Sequence, residues 1–271
     1  MSRPHGILFD LDGVIYNGET PIEGSAEVIA WVRRERIPYL LVTNTTSQPR
    51  QTLVNKLQSM GIAASTNEIW TPAVAANLWL SERGVSPAAL FVPPETAAEF
   101  QDVVISDEGA KAVVVGDLGS SWDFATLNRA FRLLHADTET QLVALGMTRY
   151  WMSPTGPSLD VAPFVVALVH ATGRRAVVLG KPSREFFDAA ALKLGLPAAD
   201  LLMIGDDIRA DVGGAQGAGL RGAIVKTGKF RPEDLEQGVQ PDAVLNSVAD
   251  FPDWWLTVAR SDESNTYENN P

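Results

Sequence analysis

The 271-residue chain is long enough for one large domain or two modest ones, and 45% hydrophobic with 20% charged residues is ordinary for a globular protein. A net charge of −11 argues against nucleic acid or an anionic membrane surface as a partner, because both need basic patches. Without cysteine, disulfides and thiolate zinc sites are excluded, and no apolar run suits a membrane helix or signal peptide. We therefore expect a cytoplasmic protein.

The first part of the chain alternates short apolar runs with helical patterns. "ILF" (residues 7–9) and "IPYLLV" (37–42) each predict a buried strand. Between them "GSAEVIAWVRRER" has helical periodicity, and "SQPRQTLVNKLQSMG" and "TPAVAANLWLSERG" predict two further helices. Pro49 in a first turn and Gly61 at a helix end fit these positions.

Near residue 82 the pattern changes to short β-like pieces interleaved with helices, which predicts a separate inserted α/β domain. From "AVVLGKPS" the first pattern resumes, with a strand to Gly180 and the later strands "LLMIG", "GAIVKTG" and "DAVLN". We predict an α/β fold with a doubly wound, mostly parallel, Rossmann-like sheet. The domain that contains this sheet would comprise residues 1–80 and 178–271, with a disordered tail at about 260–271. The inserted domain would comprise residues 81–177.

Four of the strands predicted for this sheet are followed by polar or charged residues. In open parallel sheets, ligands bind at the carboxyl ends of the strands. One such ending is common, whereas four in one chain indicate a shared site. The residues concerned are Asp10 with Asp12, Thr43 with Asn44, Lys181, and Asp206 with Asp207.

These residue types suit phosphoryl transfer, which needs a nucleophile, charge neutralisation and a proton donor for the leaving group. Asp10 can attack phosphorus to form an aspartyl-phosphate, and Asp12 can protonate the leaving oxygen and later activate water. Thr43 and Lys181 offer a hydroxyl and an ammonium group to the transferring phosphoryl group. Gly13 allows the backbone to approach the ligand closely.

The accumulation of acids predicts a cation, because neighbouring carboxylates otherwise repel each other. Mg²⁺ is a hard ion that favours carboxylates and water. We expect Asp10 and Asp206 to be direct ligands. Asp207 and Asp211 would orient that ligand shell.

The order "DLDG", "VTNTT", "GKPS" and "GDDIRAD" resembles the four motifs of the haloacid dehalogenase superfamily, and the resemblance runs from about Gly6 to about Trp255. It implies a phosphatase that uses Mg²⁺ and acts on small phosphate monoesters, phosphoamides or pyrophosphate. It also implies that the backbone carbonyl of Asp12 is a metal ligand and that Asn44 joins Thr43 and Lys181 in binding phosphate.

The insert resembles the large α/β cap domain of the subgroup that includes 4-nitrophenylphosphatase-like and phosphoglycolate phosphatase-like proteins. Such caps often mediate dimers, which leaves a homodimer open, although the oligomeric state is not legible from the sequence. In this subgroup a cap loop selects the leaving group, and residues 149–160 are our candidate. Arg149 would meet an anionic leaving group beside Tyr150, Trp151 and Asp160, although ordinary packing within the cap explains these residues equally well.

Alternative functions remain open at this point. A response-regulator receiver domain also groups acids, Thr and Lys, but there the acidic pair precedes the phosphorylated Asp and Lys comes last. A phosphotransferase or phosphomutase would use the same aspartyl-phosphate. A low-turnover phosphometabolite-binding protein is disfavoured because both Asp10 and Asp12 are present.

Overall fold

The computed structural model describes residues 3–153 and 155–258, which divide into two compact units. The first unit comprises the described residues up to Thr43, Leu53–Trp70, and the described residues from Ala190 onward. The second unit comprises Asn44–Thr52 and Thr71–Ala189. Each unit contains a parallel sheet of its own.

The strands follow one another along the chain and are short, as expected for strands within a compact α/β unit. They are β1 (Gly6–Asp10), β2 (Tyr16–Asn17), β3 (Thr20–Pro21), β4 (Tyr39–Val42), β5 (Ile69–Trp70), β6 (Ala88–Phe91), β7 (Ala112–Val115), β8 (Gln141–Ala144), β9 (Tyr150–Ser153), β10 (Gly156–Leu159), β11 (Ala176–Val178), β12 (Leu201–Gly205), β13 (Arg221–Val225) and β14 (Ala243–Leu245).

Helices connect most of these strands. The α-helices are α1 (Ser25–Arg34), α2 (Arg50–Ser59), α3 (Pro72–Glu82), α4 (Pro94–Ala97), α5 (Phe124–Ala136), α6 (Val161–Thr172), α7 (Arg184–Leu194), α8 (Gly214–Gly217) and α9 (residues 251–258). A π-helix spans Ile208–Gly213, and 3₁₀ turns lie at Thr66–Glu68, Gly119–Ser121, Ala198–Asp200, Pro232–Glu236 and Val248–Asp250. None of the helices in the described part of the chain is long and apolar enough to cross a membrane.

The first unit is built on a parallel sheet with the order β14-β13-β12-β1-β4-β5. Every residue of β1 and β12 is buried, as expected for central strands that are covered on both faces. Phe9 of β1 packs edge-on against Phe251 of α9, with 5.6 Å between the ring centroids. The register pairs Phe9 with Ile204, so β1 and β12 end side by side.

The second unit contains a parallel sheet with the order β11-β8-β7-β6 and an antiparallel hairpin formed by β9 and β10. Val113 and Val115 of β7 are fully buried, together with Ala130 of α5 and Val165 of α6. The α/β, mostly parallel fold predicted from the sequence is therefore confirmed.

One strand was assigned to the wrong sheet. The sequence interpretation placed "AVVLG" in the first sheet, whereas β11 pairs with β8, aligning Val177 with Val143. Both parallel sheets consist of short apolar strands followed by helices, so the local pattern does not distinguish them. The predicted domain boundaries near residues 80 and 178 stay a prediction, and the predicted tail at 260–271 lies outside the described residues.

Candidate active site

Three buried carboxylates meet at the carboxyl ends of two neighbouring strands in the first unit. Asp10 ends β1, Asp206 follows β12, and Asp211 lies in the π-helix that comes next. One carboxylate oxygen of each lies within 4.8 Å of those of the other two. Asp10 is 6% exposed and the other two are each 1% exposed. This acidic cluster is the most concentrated charge in the first unit's described interior.

The π-helix brings Asp211 back to this cluster. Asp207 caps the helix, since its Oδ1 accepts hydrogen bonds from the backbone N–H groups of Arg209 (3.0 Å) and Ala210 (2.9 Å). The backbone N–H of Asp207 in turn donates to Asp211 Oδ2 at 3.1 Å. Helices of this type are short and frequent at functional sites. The motif "GDDIRAD" thus places two acids in the cluster and uses the third as a cap.

Glycines make room for the carboxylates. A Cβ on Gly13 or on Gly228 would lie 2.1 Å from Asp206 Oδ2, and one on Gly205 would lie 2.3 Å from Asp211 Oδ2. Gly13 and Gly228 also have positive φ values of 86° and 65°. Gly13 therefore leaves room for Asp206, whereas the predicted close approach of its backbone to a ligand stays a prediction.

Asp12 differs from Asp10 in being exposed to solvent. Its Oδ1 accepts a hydrogen bond from the backbone N–H of Gly18 at 3.3 Å, which ties it to the β2–β3 hairpin. Tyr16 in that hairpin is buried, and burial together with the charges of Asp12 and Asp10 raises its pKa above the usual value. An exposed carboxyl group can exchange protons with water, as an acid–base group must.

Lys229 is a member of this site that the sequence interpretation missed. Its backbone N–H donates to Asp206 Oδ2 at 2.7 Å. Burial alone would lower the pKa of its amine, but the nearby carboxylates, Asp206 foremost, raise the pKa above its usual value. The signal was present, because "KTGK" follows β13 at the same sheet edge. Lys229 also lines a cavity of about 330 Å³ together with Asp206, Asp207, Ile208, Arg209, Asp234 and Gln237.

The predicted phosphate-binding residues fall in both units. Thr43 follows β4 in the first unit, where its backbone N–H donates to the Trp70 carbonyl at 3.1 Å. Asn44 and Lys181 belong to the second unit. There the Asn44 side chain hydrogen-bonds to the Lys181 backbone, and Lys181 is buried, with 7% of its surface exposed. Their contact with phosphate stays a prediction.

The predicted cap-loop residues lie on and beside the β9–β10 hairpin of the second unit. Tyr150 and Trp151 are 53% and 45% exposed, and Arg149 is exposed as well. Asp160 caps α6 by accepting a hydrogen bond from the Val161 N–H at 2.7 Å, and burial raises its pKa. Asp160 thus has a local structural role, while substrate contact by all four residues stays a prediction.

The donor set of the acidic cluster fits a divalent metal ion. Three buried carboxylates offer only oxygen atoms, which are the ligands of hard cations such as Mg²⁺ and Ca²⁺. Three negative charges at this separation also repel each other strongly in a poorly solvated site. A cation would remove that repulsion, so the residues are chemically suited to hold one.

Comparison with known proteins identifies the family to which this chain belongs. Residues 7–106 match the family model described as haloacid dehalogenase-like hydrolase, and residues 178–251 match a model described as HAD-hydrolase-like. The human phospholysine phosphohistidine inorganic pyrophosphate phosphatase is 39% identical over 94% of this chain and 95% of its own length. The Bos taurus haloacid dehalogenase-like hydrolase domain-containing protein 2 is 37% identical, covering 88% and 90%.

Solved structures agree with these relatives. A p-nitrophenyl phosphatase from Archaeoglobus fulgidus superposes with a TM-score of 0.82 and 26% identity, covering 93% of this chain and 99% of its own. The segments "GRRAVVLGKPSREFF" and "MIGDDIRADVGGAQ" resemble the phospholysine phosphohistidine inorganic pyrophosphate phosphatases, and the matches to those proteins confirm this closer resemblance. The chain belongs to the haloacid dehalogenase-like hydrolase family.

Proposed function

We propose that this protein is a Mg²⁺-dependent phosphatase acting on small phosphate monoesters, phosphoamides or pyrophosphate. The observation that carries the proposal is the buried cluster formed by Asp10, Asp206 and Asp211. The human relative is named as a phosphatase of phospholysine, phosphohistidine and inorganic pyrophosphate, which supports the same range of bonds to phosphorus.

Asp10 is the proposed nucleophile. Its carboxylate oxygen would form a bond to phosphorus while the bond from phosphorus to the leaving group breaks, and Asp12 would give its proton to the leaving atom. In the second half of the reaction, Asp12 would take a proton from water as the water oxygen bonds to phosphorus. The bond between Asp10 and phosphorus then breaks, which releases phosphate and restores the carboxylate. The burial of Asp10 and the exposure of Asp12 support this division of roles.

Bound Mg²⁺ would neutralise negative charge on the transferring phosphoryl group. The proposed ligands are the carboxylates of Asp10 and Asp206 and the backbone carbonyl of Asp12. Asp207 and Asp211 would orient this shell, and the hydrogen bond from the Asp207 N–H to Asp211 supports their acting together.

The remaining contacts to substrate would come from Thr43 and Lys181, whose hydroxyl and ammonium groups suit phosphoryl oxygens. Arg149, Tyr150 and Trp151 would contact the leaving group, and their exposure on and beside the hairpin supports this role. A homodimer and a cytoplasmic location stay predictions.

The first experiment measures phosphate release from p-nitrophenyl phosphate and from pyrophosphate, in Mg²⁺ and in EDTA, for the wild type and for Asp10→Asn. We expect release only with Mg²⁺ and a loss of at least about 10³-fold in Asp10→Asn, because the nucleophile is gone. Asp253→Asn, which changes an exposed acid far along the chain in α9, serves as the matched control and should keep full activity. Activity that survives in Asp10→Asn would refute the mechanism.

The same assay separates the alternative functions. Adding sugar acceptors would yield a phosphosugar in place of free phosphate if the protein were a phosphotransferase. A folded wild type that releases no phosphate from a broad panel of small phosphate compounds, but still binds them, would instead be a binding protein. Trapping of a phosphorylated protein in Asp12→Asn would support the aspartyl-phosphate directly, because water activation is then slowed.

A further inference from the structure

The side-chain amide of Asn44 pairs with both backbone polar groups of one residue, Lys181, which is 137 positions away in the chain. Asn44 Nδ2 donates to the Lys181 carbonyl at 2.9 Å, and the Lys181 N–H donates to Asn44 Oδ1 at 2.7 Å. This is the pair of hydrogen bonds that a neighbouring strand would supply to a residue within a sheet. We call it the Asn44–Lys181 clamp.

Lys181 requires such a partner because it lies just beyond the end of the second sheet. β11 ends at Val178, the N–H of Leu179 still donates to the Ala144 carbonyl at 2.8 Å, and the Gly180 carbonyl accepts the N–H of Ser183 at 3.0 Å. Lys181 is buried at this point, and buried backbone groups need hydrogen-bond partners. The amide of Asn44 supplies one to each of its two backbone groups.

The close approach of the two segments depends on Gly180. A Cβ at this position would lie 2.7 Å from the Leu145 carbonyl oxygen and 3.3 Å from Asn44 Oδ1. The first distance is a clash with backbone, which cannot move aside as a flexible side chain would. The glycine of "GKPS" therefore leaves the space in which Asn44 reaches Lys181.

The segment that carries Asn44 is itself fixed within the second unit. Arg50 donates to the carboxylate of Glu99 from its backbone N–H at 2.9 Å and from its side-chain Nε at 2.6 Å. Thr96 Oγ1 donates to the Thr46 carbonyl at 2.9 Å. Glu99 and Thr96 are buried, so water competes little for these bonds. These bonds hold the segment that follows Asn44, so the Asn44 half of the clamp is fixed as well as the Lys181 half.

We infer that Asn44 is a positioning residue, which sets the direction of the Lys181 ammonium group by holding the Lys181 backbone, and does not bind phosphate through its own side chain. This inference rests on the proposed phosphatase function and replaces the direct phosphate contact that the sequence suggested for Asn44. Both polar atoms of the amide take part in the clamp, which leaves only one Nδ2 hydrogen for any further contact. A lysine acting as a point charge on a phosphoryl group depends on where its amine is held.

A double-mutant cycle tests the inference through kcat/KM for p-nitrophenyl phosphate with Mg²⁺. Asn44→Ala is expected to lower kcat/KM by about 10- to 100-fold, as a misplacement of about 1 Å does, and Lys181→Met by more. The double variant should equal Lys181→Met within about threefold, because the placement of an absent amine has no effect. Separate losses that multiply in the double variant would show that Asn44 contacts the substrate independently and would overturn the inference.

Asn77 offers a matched control within the same unit. Its amide also makes two hydrogen bonds to a single residue, donating to the side-chain Oδ2 of Asp102 at 2.7 Å and accepting from the Asp102 backbone N–H at 3.2 Å. Asn77→Ala should lower the thermal midpoint as Asn44→Ala does while leaving kcat/KM within about twofold. An equal loss of kcat/KM in the two variants would mean that Asn44 acts only on general stability, which also overturns the inference.

Asn44→Asp provides a second variant if Asn44→Ala does not fold. It is isosteric and keeps an acceptor for the Lys181 N–H, but it puts a carboxylate oxygen opposite the Lys181 carbonyl, so the same non-additive cycle is expected. An active wild type, an inactive Asp10→Asn and multiplicative losses would reject this inference alone. A wild type without Mg²⁺-dependent activity would reject the proposed function and this inference with it.

Discussion

Asp206 Oδ2 accepts the backbone N–H of Lys229 at 2.7 Å, so the loop after β13 is fastened directly to the carboxylate that follows β12. Gly228 and Gly13 pack against the same oxygen, and Thr227 Oγ1 donates to the Gly13 carbonyl. The loops after β1, β12 and β13 are therefore joined around one carboxylate. A site held in this way needs little reorganisation when it binds a ligand.

The packing of Gly13 against Asp206 predicts that Gly13→Ala damages the acidic cluster itself. The added methyl group would lie 2.1 Å from Asp206 Oδ2, so the carboxylate must move. We expect a loss of stability above the roughly 1–2 kcal/mol due to the left-handed backbone alone, and at least about tenfold weaker Mg²⁺ binding. Calorimetric titration with Mg²⁺ and urea unfolding measure the two effects.

Gly61→Ala is the control for this prediction, because Gly61 has a similar φ of 77° and no atom within 4 Å of an added Cβ. It should cost roughly 1–2 kcal/mol of stability through backbone strain and leave Mg²⁺ binding unchanged. Equal effects of the two substitutions on Mg²⁺ affinity would show that the contact with Asp206 is unimportant.

The amine of Lys229 lies in the field of the acidic cluster, which raises its pKa. Lys229→Met removes that positive charge and should tighten Mg²⁺ binding roughly three- to tenfold, since about 1 kcal/mol of charge interaction corresponds to roughly fivefold in affinity. It should also lower the thermal midpoint in EDTA, because the carboxylates then lack a compensating charge. Lys226→Met, which removes an exposed lysine bonded to Asn246 Oδ1, should do neither. Weaker Mg²⁺ binding in Lys229→Met would contradict this account.

Because Asp211 lies in the acidic cluster and Asp207 caps the π-helix, we expect the isosteric change from Asp to Asn to have different effects at the two positions. Asp211→Asn alters a carboxylate of the buried cluster and should weaken Mg²⁺ binding by about 10- to 100-fold. Asp207→Asn keeps the acceptor oxygen that caps the π-helix, so a smaller loss is expected. Mg²⁺ titration of both variants, with the unfolding midpoint in EDTA as a check on folding, decides whether the difference exists.

Arg33 and Tyr39 both donate hydrogen bonds to the Glu68 carboxylate, and this network predicts how stability depends on pH. Burial would raise the pKa of Glu68, but hydrogen bonds from Tyr39, Arg33 and Ser65 outweigh burial and lower it. A lowered pKa contributes stability that is present above the ordinary glutamate pKa of about 4.3 and disappears as the pH falls through the folded-state value. Glu68→Gln should therefore reduce the free energy of unfolding by about 1–2 kcal/mol at pH 7.

The difference between wild type and Glu68→Gln should shrink as the pH is lowered from 6 to about 3, as measured by urea unfolding at each pH. Glu95→Gln, an exposed acid in α4, serves as a control and should show little difference at any pH. A Glu68→Gln difference that stays constant down to pH 3 would mean that the charge of Glu68 is irrelevant to the network.

Much of the fold could be predicted because its signals are local. Thr71 caps α3 by accepting the Val74 N–H, and Pro72 occupies the first turn, as "TP" before an apolar helical stretch indicates. The strands β1, β4 and β12 coincide with the apolar runs that predicted them. The assignment of β11 failed because sheet membership depends on which distant strand is the partner, and Ala144 lies more than thirty positions upstream of Val178.

The candidate active site, like the fold, could be predicted from the sequence only in part. Residue type and spacing are properties of the chain, so the sequence alone was enough to show that Asp10, Asp12, Asp206 and Asp207 follow strands, that Asp211 comes shortly after, and that their order is typical of one hydrolase family. The folded chain was needed to show that Asp211 joins Asp10 and Asp206 while Asp207 caps a helix, and that Lys229 belongs to the site. It was also needed to show that Asn44 holds Lys181. These relations depend on distances between residues far apart in sequence, which the packing of the sheet sets and local pattern does not encode.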